Sequence, residues 1–408
     1  MKRGGDSGGV KMARAEWQSA KLNELGFVGR GKSRHRPRNA AFLYGGQYPF
    51  FQTGDIKAAS FHLTQHTQTY SEQGLAQSKL WKIGTLCITI AANIAETAIL
   101  GIDGCFPDSV VGFVADTDKA DVRFIKYYMD TLKLQMQSVS RGTTQDNLSV
   151  DKLLTFDFLV PPLPVQRRIA GILSAYDELI ENCQRRIKIL EQMARNLYRE
   201  WFVHFRYPGS VPSSRPAGHP SPSGRRDGFR PSSLGPIPQG WEVKKVGEIL
   251  ELNYGKALKQ EHRSGGVVPV YGSSGVVGHH DRALVKGPGI VIGRKGNVGS
   301  VFWCDDDFFV IDTAYFVTSS LPLRFLLYVL PTLNFINNDA AVPGLSRNQT
   351  YSLETLVPPA ALLTNFCELA DMFERQAGTL QRQIQTLRRT RDLLLPRLLA
   401  GQIALRTN

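Results

Sequence analysis

Cysteine is scarce and scattered in this chain. Its 408 residues include five, Cys87, Cys105, Cys183, Cys304 and Cys367, and no two stand closer than 18 positions. An odd count without close spacing argues against a disulfide framework and a zinc module, and favours a reducing compartment. Histidine is sparse too, with eight residues, of which only His62 and His66 stand at an H-x3-H spacing, with no cysteine close by. The N-terminus has no apolar run of the secretory kind. Only 83–102 approaches membrane-span length, with Asn93 and Glu96 near its middle. A central acidic residue costs about 2.5–3.5 kcal/mol on insertion, so this stretch reads as a buried strand–turn–strand. Acidic residues number 36 against 49 Lys and Arg, which leaves a net charge of +13. That balance points to a polyanionic partner.

Catalytic signatures are missing as well. There is no [NDS]-P-P-[YF] motif of amino-methyltransferases. Pro107-Asp108 has no acidic-x-Lys partner at nuclease spacing, and Glu242-Val243-Lys244 stands alone. Residues 26–33 (GFVGRGKS) do match the P-loop pattern G-x4-G-K-[ST]. The context is wrong for a nucleotide site, because a polar stretch precedes the motif and RHRPRNA follows it. The better reading is an exposed cationic loop in which Gly31 lets the backbone approach phosphate. Residues 1–38 carry 10 Lys and Arg against 3 acidic residues, with Arg30, Lys32, Arg34, His35, Arg36 and Arg38 within nine positions.

Two long helices are legible. From Ile169 to Trp201 the apolar positions step strictly by four and three, through Leu173, Tyr176, Ile180, Cys183, Ile187, Leu190, Ala194 and Leu197. The stepping predicts a coiled-coil helix over 166–201. The same steps return from Phe366 to Leu398, with Arg391 as a defect in the seam and Pro396 expected to kink or end the helix. Val160-Pro161-Pro162 announces the first helix and Val357-Pro358-Pro359 the second, 197 positions later. Further matches run through the chain: Trp17 with Trp241, Gly31-Lys32 with Gly255-Lys256, Asn93 with Asn297, and Arg123-Phe124 with Arg324-Phe325. Their offset falls steadily from 224 to 197, as a diverged duplication would give. Residues 207–240 hold 8 Pro, 6 Gly and 7 Ser and read as a linker with little fixed structure.

The expected fold is therefore α+β: two tandem units separated by two long antiparallel coiled-coil helices, related by a pseudo-twofold internal repeat. The expected boundaries are 13–160 and 241–359 for the units, 161–206 and 360–405 for the helices, and 207–240 for the linker. Met12 is a candidate start. Candidate DNA-binding residues in the first unit are Arg30, Lys32, Arg34, Arg36, Arg38, Gln47, Asn93, Gln145 and Asn147. In the second they are Lys256, Lys259, Arg294, Lys295, Asn297, Arg347 and Asn348. Cations suit phosphates, and planar amides and guanidiniums suit base edges.

Several stretches resemble the specificity subunit of type I restriction–modification systems. They are YPFFQTGDIKAA (48–59), SKLWKIGTLCITIAANIAETAIL (78–100), CFPDSVVGF (105–113), VYGSSGVVG (270–278), GRKGNVGSV (293–301), IDTAYFV (311–317) and AVPGLSRN (341–348). The helix entrance PPLPVQRRIAGILSAYD (161–177) and exit REWFVHFRYPG (199–209) resemble that family's central region. The resemblance implies two target-recognition domains, each reading half of a bipartite site in double-stranded DNA, with the helices as spacer. It implies docking of two modification (methyltransferase) subunits that bind S-adenosylmethionine, and of restriction/translocase subunits that use ATP and Mg. The chain itself would bind no cofactor, have no catalytic or metal site, meet no membrane and work in the cytoplasm. Three other readings remain at this point: a P-loop ATPase with a coiled-coil arm, a structural scaffold, and the specificity chain of a type II-like enzyme.

Overall fold

The computed structural model describes residues 17–140, 148–209, 228–263, 265–335, 344–403 and 405. The chain forms two compact units. One comprises residues 1–186 with 379–408, and the other residues 187–378. Each unit thus owns a sheet, part of the central helix Leu163–Tyr198 and part of the C-terminal helix Ala360–Leu399.

In the first unit a five-stranded sheet runs in the order Gly26–Arg30, Val110–Ala115, Leu86–Thr89, Thr97–Leu100, His62–Leu63. All pairs are antiparallel except the last. The apolar run 83–102 is the hairpin at its centre, with Leu86 opposite Ile99. Both strands of that hairpin are buried throughout, which explains a continuous rather than alternating apolar pattern. Helix Val122–Ser140 packs on this sheet through Phe124, Ile125, Tyr127 and Met129. The same core takes Ile169, Ala170 and Leu173 from the central helix and Leu398 and Leu399 from the C-terminal helix.

In the second unit Leu250–Tyr254, Ala314–Ser319, Gly289–Gly293 and Val301–Cys304 form an antiparallel sheet in that order. A separate sheet joins Gly275–His280, Val268–Gly272 and Phe309–Val310. The core gathers Phe325, Leu326 and Val329 with Tyr198 from the central helix, Trp201 and Phe202 from the turn Arg199–Val203 that follows it, and Phe366 and Ala370 from the C-terminal helix. In each unit the strand before the Pro-Pro pair closes on the strand after the leading tryptophan: Val160 lies opposite Gln18, and Val357 opposite Glu242.

The heptad seams are inward-facing: every seam position named above is buried or half-buried. The defect at Arg391 has a partner. Its guanidinium meets the Asp177 carboxylate, which is 1% exposed and also accepts a hydrogen bond from the Tyr127 hydroxyl. Burial, and then the Asp177 carboxylate, push that phenol well above its usual range. Pro396 does not end the helix, which runs on through it to Leu399. Lacking an N–H, it donates no helical bond to the carbonyl four residues back, a loss the helix carries one turn before its end. The stop comes instead at Gly401, with φ +66°. Its N–H donates to Leu398 O at 3.1 Å and that of Gln402 to Arg397 O at 2.9 Å, which is the Schellman pattern.

The Pro/Gly/Ser-rich segment is a second correction. Residues 210–227 lie outside the described residues, but 228–240 is ordered. Phe229–Arg230 pairs with Ile237–Pro238, and Ile237 is buried. The few apolar side chains decide this: Phe205 stacks edge-on against both Phe229 and the buried Trp241. Among the described residues no helix is long and apolar enough to cross a membrane.

Candidate nucleic-acid interface

The 30–38 loop leaves the sheet at Arg30, opposite Val111. Its first backbone donors are consumed at once. Gly31 N–H bonds Val110 O at 2.8 Å and Lys32 N–H bonds Phe106 O at 3.1 Å. Gln77 Oε1 takes the N–H groups of Arg34 and His35, at 2.5 and 3.0 Å. A phosphate cradle needs such N–H groups free and a helix opening behind them. Here the next element is a single 3₁₀ turn, Ala41–Leu43, so the P-loop match has no P-loop geometry. The expected role of Gly31 is also corrected. A Cβ there would lie 2.3 Å from the carbonyl oxygens of Phe106 and Pro107, so the glycine serves contact with its own chain.

The cations of the loop divide into two kinds. Arg36 Nη1 donates to Ser33 O at 2.7 Å and His35 O at 2.8 Å, tying the loop to itself. Arg30 Nε donates to Asp108 O at 2.8 Å, and Arg38 forms an ion pair with the Asp108 carboxylate at 2.9 Å. Lys32 and Arg34 present exposed side chains. Lys79 stands over the Trp81 ring at 3.6 Å; partial burial, and then the charge of Lys32, lower its pKa. Gln47 is engaged by the Tyr48 hydroxyl at 3.2 Å and by Glu72 at 3.3 Å. Asn93 accepts from Lys57 Nζ at 3.2 Å. The structure thus joins Arg30 and Arg38 through Asp108 but ties Gln47 and Asn93 to other neighbours. Gln145 and Asn147 lie outside the described residues.

In the second unit the candidates converge further. The N–H groups of Arg294 and Lys295 share Thr313 O, and Leu345 N–H returns to Arg294 O at 2.8 Å. That bond brings the turn after Gly289–Gly293 beside the short helix Arg347–Ser352, whose start is capped by Ser346. Arg294, Lys295, Arg347 and the exposed Asn348 therefore share one neighbourhood. At its centre is a residue that sequence reasoning missed. Tyr254 ends its strand half exposed, with the guanidinium carbons of Arg294 and Arg347 5.0 and 5.3 Å from its ring centre. A hydrogen bond from Tyr315 and the two positive charges hold its hydroxyl below the usual phenol range. The only sequence signal was its place in NYGKALKQ. Lys256 and Lys259 follow it on an exposed loop, Lys259 being 3.6 Å from Glu261. Asn297 belongs to a different contact, donating to Ser274 Oγ at 3.2 Å.

Comparison with known proteins matches this architecture. The family model described as "Type I restriction modification DNA specificity domain" covers residues 14–192 and again 238–349. The specificity subunit of the type I restriction enzyme MjaIX of Methanocaldococcus jannaschii is 23% identical over 433 aligned positions, spanning 95% of this chain and 94% of that one. The EcoprrI specificity subunit of Escherichia coli is 21% identical over 82% of each chain. The crystal structure of a type I restriction–modification S subunit from M. genitalium superposes with a TM-score of 0.60 at 16% identity, covering 94% of this chain and 96% of that one. With two matched segments that together span most of the sequence, the chain belongs to the type I restriction–modification DNA specificity family.

Proposed function

We propose that this chain is the DNA-reading subunit of a type I restriction–modification complex, without a catalytic site of its own, and that it directs partner subunits to a bipartite sequence. The observation that carries the reading is the double match of the family model, each part of which encloses the largest sheet of its unit and basic loops. In this proposal 13–160 and 241–359 are the two target-recognition domains, and 161–206 and 360–405 the helices that space them. Antiparallel pairing of the helices, related in this proposal by a pseudo-twofold, is supported inside the first unit by two contacts, and in the second one contact shows the helices meeting. Asp177 meets Arg391 and Cys183 lies 4.0 Å from Gln383 in the first, and Trp201 lies 6.2 Å from Phe366 in the second. Paired numbers fall in one helix as they rise in the other, as antiparallel helices require.

Phosphate contact falls to Lys32, Arg34, Lys256 and Lys259, and base contact to the planar groups around Tyr254. Docking of two modification subunits is supported by apolar side chains left outside the seam, among them Leu179, Ile189 and Met193 at 54, 52 and 45% exposure. S-adenosylmethionine, ATP and Mg would act in the partners.

The test is a survey of methylated bases in a host that carries this chain with its modification and restriction subunits. A recurrent two-part sequence with a constant gap is expected. A contiguous site, or no recurrent sequence, would overturn the reading.

A further inference from the structure

Tyr254 lies where three separate elements meet: its own strand, the turn after Gly289–Gly293, and the helix Arg347–Ser352. Two guanidiniums within 5.3 Å of one ring centre stand no more than about 11 Å apart. Each has a second hold. Arg294 Nη1 donates to Asp312 O at 3.0 Å, and Arg347 Nη2 to the Tyr351 hydroxyl at 3.2 Å. Five N–H donors per guanidinium exceed these bonds. Arginine reads guanine through a bidentate pair to O6 and N7, and ordering its side chain is part of the cost of doing so. A ring that restricts both side chains before DNA arrives removes part of that cost.

The first unit has the same backbone arrangement with different side chains. Gly255 and Lys256 bond Ala314 O and Val310 O, just as Gly31 and Lys32 bond Val110 O and Phe106 O. Leu345 N–H bonds Arg294 O, as Leu148 N–H bonds Ile90 O. Tyr254, Arg294 and Arg347 therefore correspond to Arg30, Ile90 and Val150. There the space is open, a cavity of about 560 Å³ lined by Arg30, Ile90, Asp108 and Val150 among others. A constant frame with exchanged planar and charged groups is what two readers of different half-sites need.

We propose that Tyr254 is a specificity-positioning residue: its ring holds Arg294 and Arg347 as a paired reader of guanine edges in the half-site taken by the second unit. The proposal rests on the DNA-reading function above. The experiment offers random-sequence duplex DNA to the full chain co-expressed with its modification subunits, and sequences the bound duplexes for each variant. Tyr254→Leu should lower guanine preference in one half-site by about ten-fold, the loss of one bidentate contact, and leave the other half-site unchanged. Tyr254→Phe should restore it. Arg347→Lys keeps the charge but not the fork, and should lose base preference with the salt dependence unchanged, which covers a Leu variant that fails to fold. An unaltered half-site in Tyr254→Leu and Arg347→Lys overturns the proposal. So does a loss of affinity equal for all sequences, which would mark the pair as phosphate contacts. Absence of any selected sequence with the unaltered chain would instead overturn the DNA-reading function itself.

Discussion

Arg391 shows how one polar residue in an apolar seam is tolerated. Asp177 is almost wholly buried, and an unpaired buried carboxylate is far costlier than a paired one. Arg391→Leu should therefore destabilise by on the order of 3 kcal/mol, whereas Asp177→Leu with Arg391→Leu should recover most of it. Chemical denaturation of the full chain measures both; a double variant that recovers nothing over the single would show that the unpaired buried carboxylate is not the source of the loss. This contact was illegible in the sequence, because the defect was visible at Arg391 but its partner lies 214 positions away. Tyr254 was illegible for a related reason, since a tyrosine at a strand end is ordinary until two arginines from distant segments close on it. A second, half-buried contact gives pH dependence. His62 Nδ1 lies 3.0 Å from Glu181 on the central helix. That hydrogen bond, opposed by burial, raises the His62 pKa. Burial alone would raise the Glu181 carboxyl, but the His62 ring and backbone bring it below its usual value. A histidine raised on folding adds stability that is full below its unfolded value of about 6.5 and is lost as pH rises through the folded value. The melting temperature of the unaltered chain should thus fall more steeply than that of His62→Phe as pH rises above about 6.5. Parallel curves would exclude the linkage.

At the scale of elements, the 30–38 loop is organised as much by its own cations as for a partner. Lys32 and Arg34 are exposed, while Arg36 spends its guanidinium on carbonyls of the same loop. Counterion release assigns a slope of about 0.9 to each neutralised phosphate. Changing Lys32 and Arg34 together to Ala should reduce the log–log salt slope of DNA binding by about 2, with the folded loop intact. Arg36→Ala should instead weaken binding through disorder of the loop, visible as faster proteolysis between Ser33 and Arg38. A slope unmoved by the Lys32 and Arg34 changes would show that the loop faces away from DNA. Helices and hairpins were legible because their signals are periodic and local: the seams and the 86–100 hairpin follow from spacing alone. The ordered flank at 228–240 was hidden by composition. Eight prolines outweigh one Phe229 and one Ile237 in a count, but those two side chains find Phe205, Trp241 and the core.

For the whole molecule, the drift of the repeat offset from 224 to 197 was the most informative signal, and the strand pairings follow it from Gln18–Val160 to Glu242–Val357. Charge was informative about the class of partner only: +13 suits a polyanion, but it does not choose among loops. The proposed spacer role of the helices has a metric consequence. One added heptad lengthens a helix by about 10.5 Å while its seam stays nearly in phase. Matched insertions in the central and C-terminal helices should therefore widen the preferred gap between half-sites by about 3 base pairs at about 3.4 Å each. Both half-site sequences should persist, because no recognition loop is touched. An insertion in only one helix should be poorly tolerated, since the seam would lose its partner over a full heptad. Added base pairs also rotate one half-site about the duplex by about 100°, so affinity should fall even where the spacing follows the helices. A methylation-site survey of the double insertion separates these effects. A gap that stays constant removes the spacer role, and half-site bases that change would mean that the helices also shape the reading surfaces.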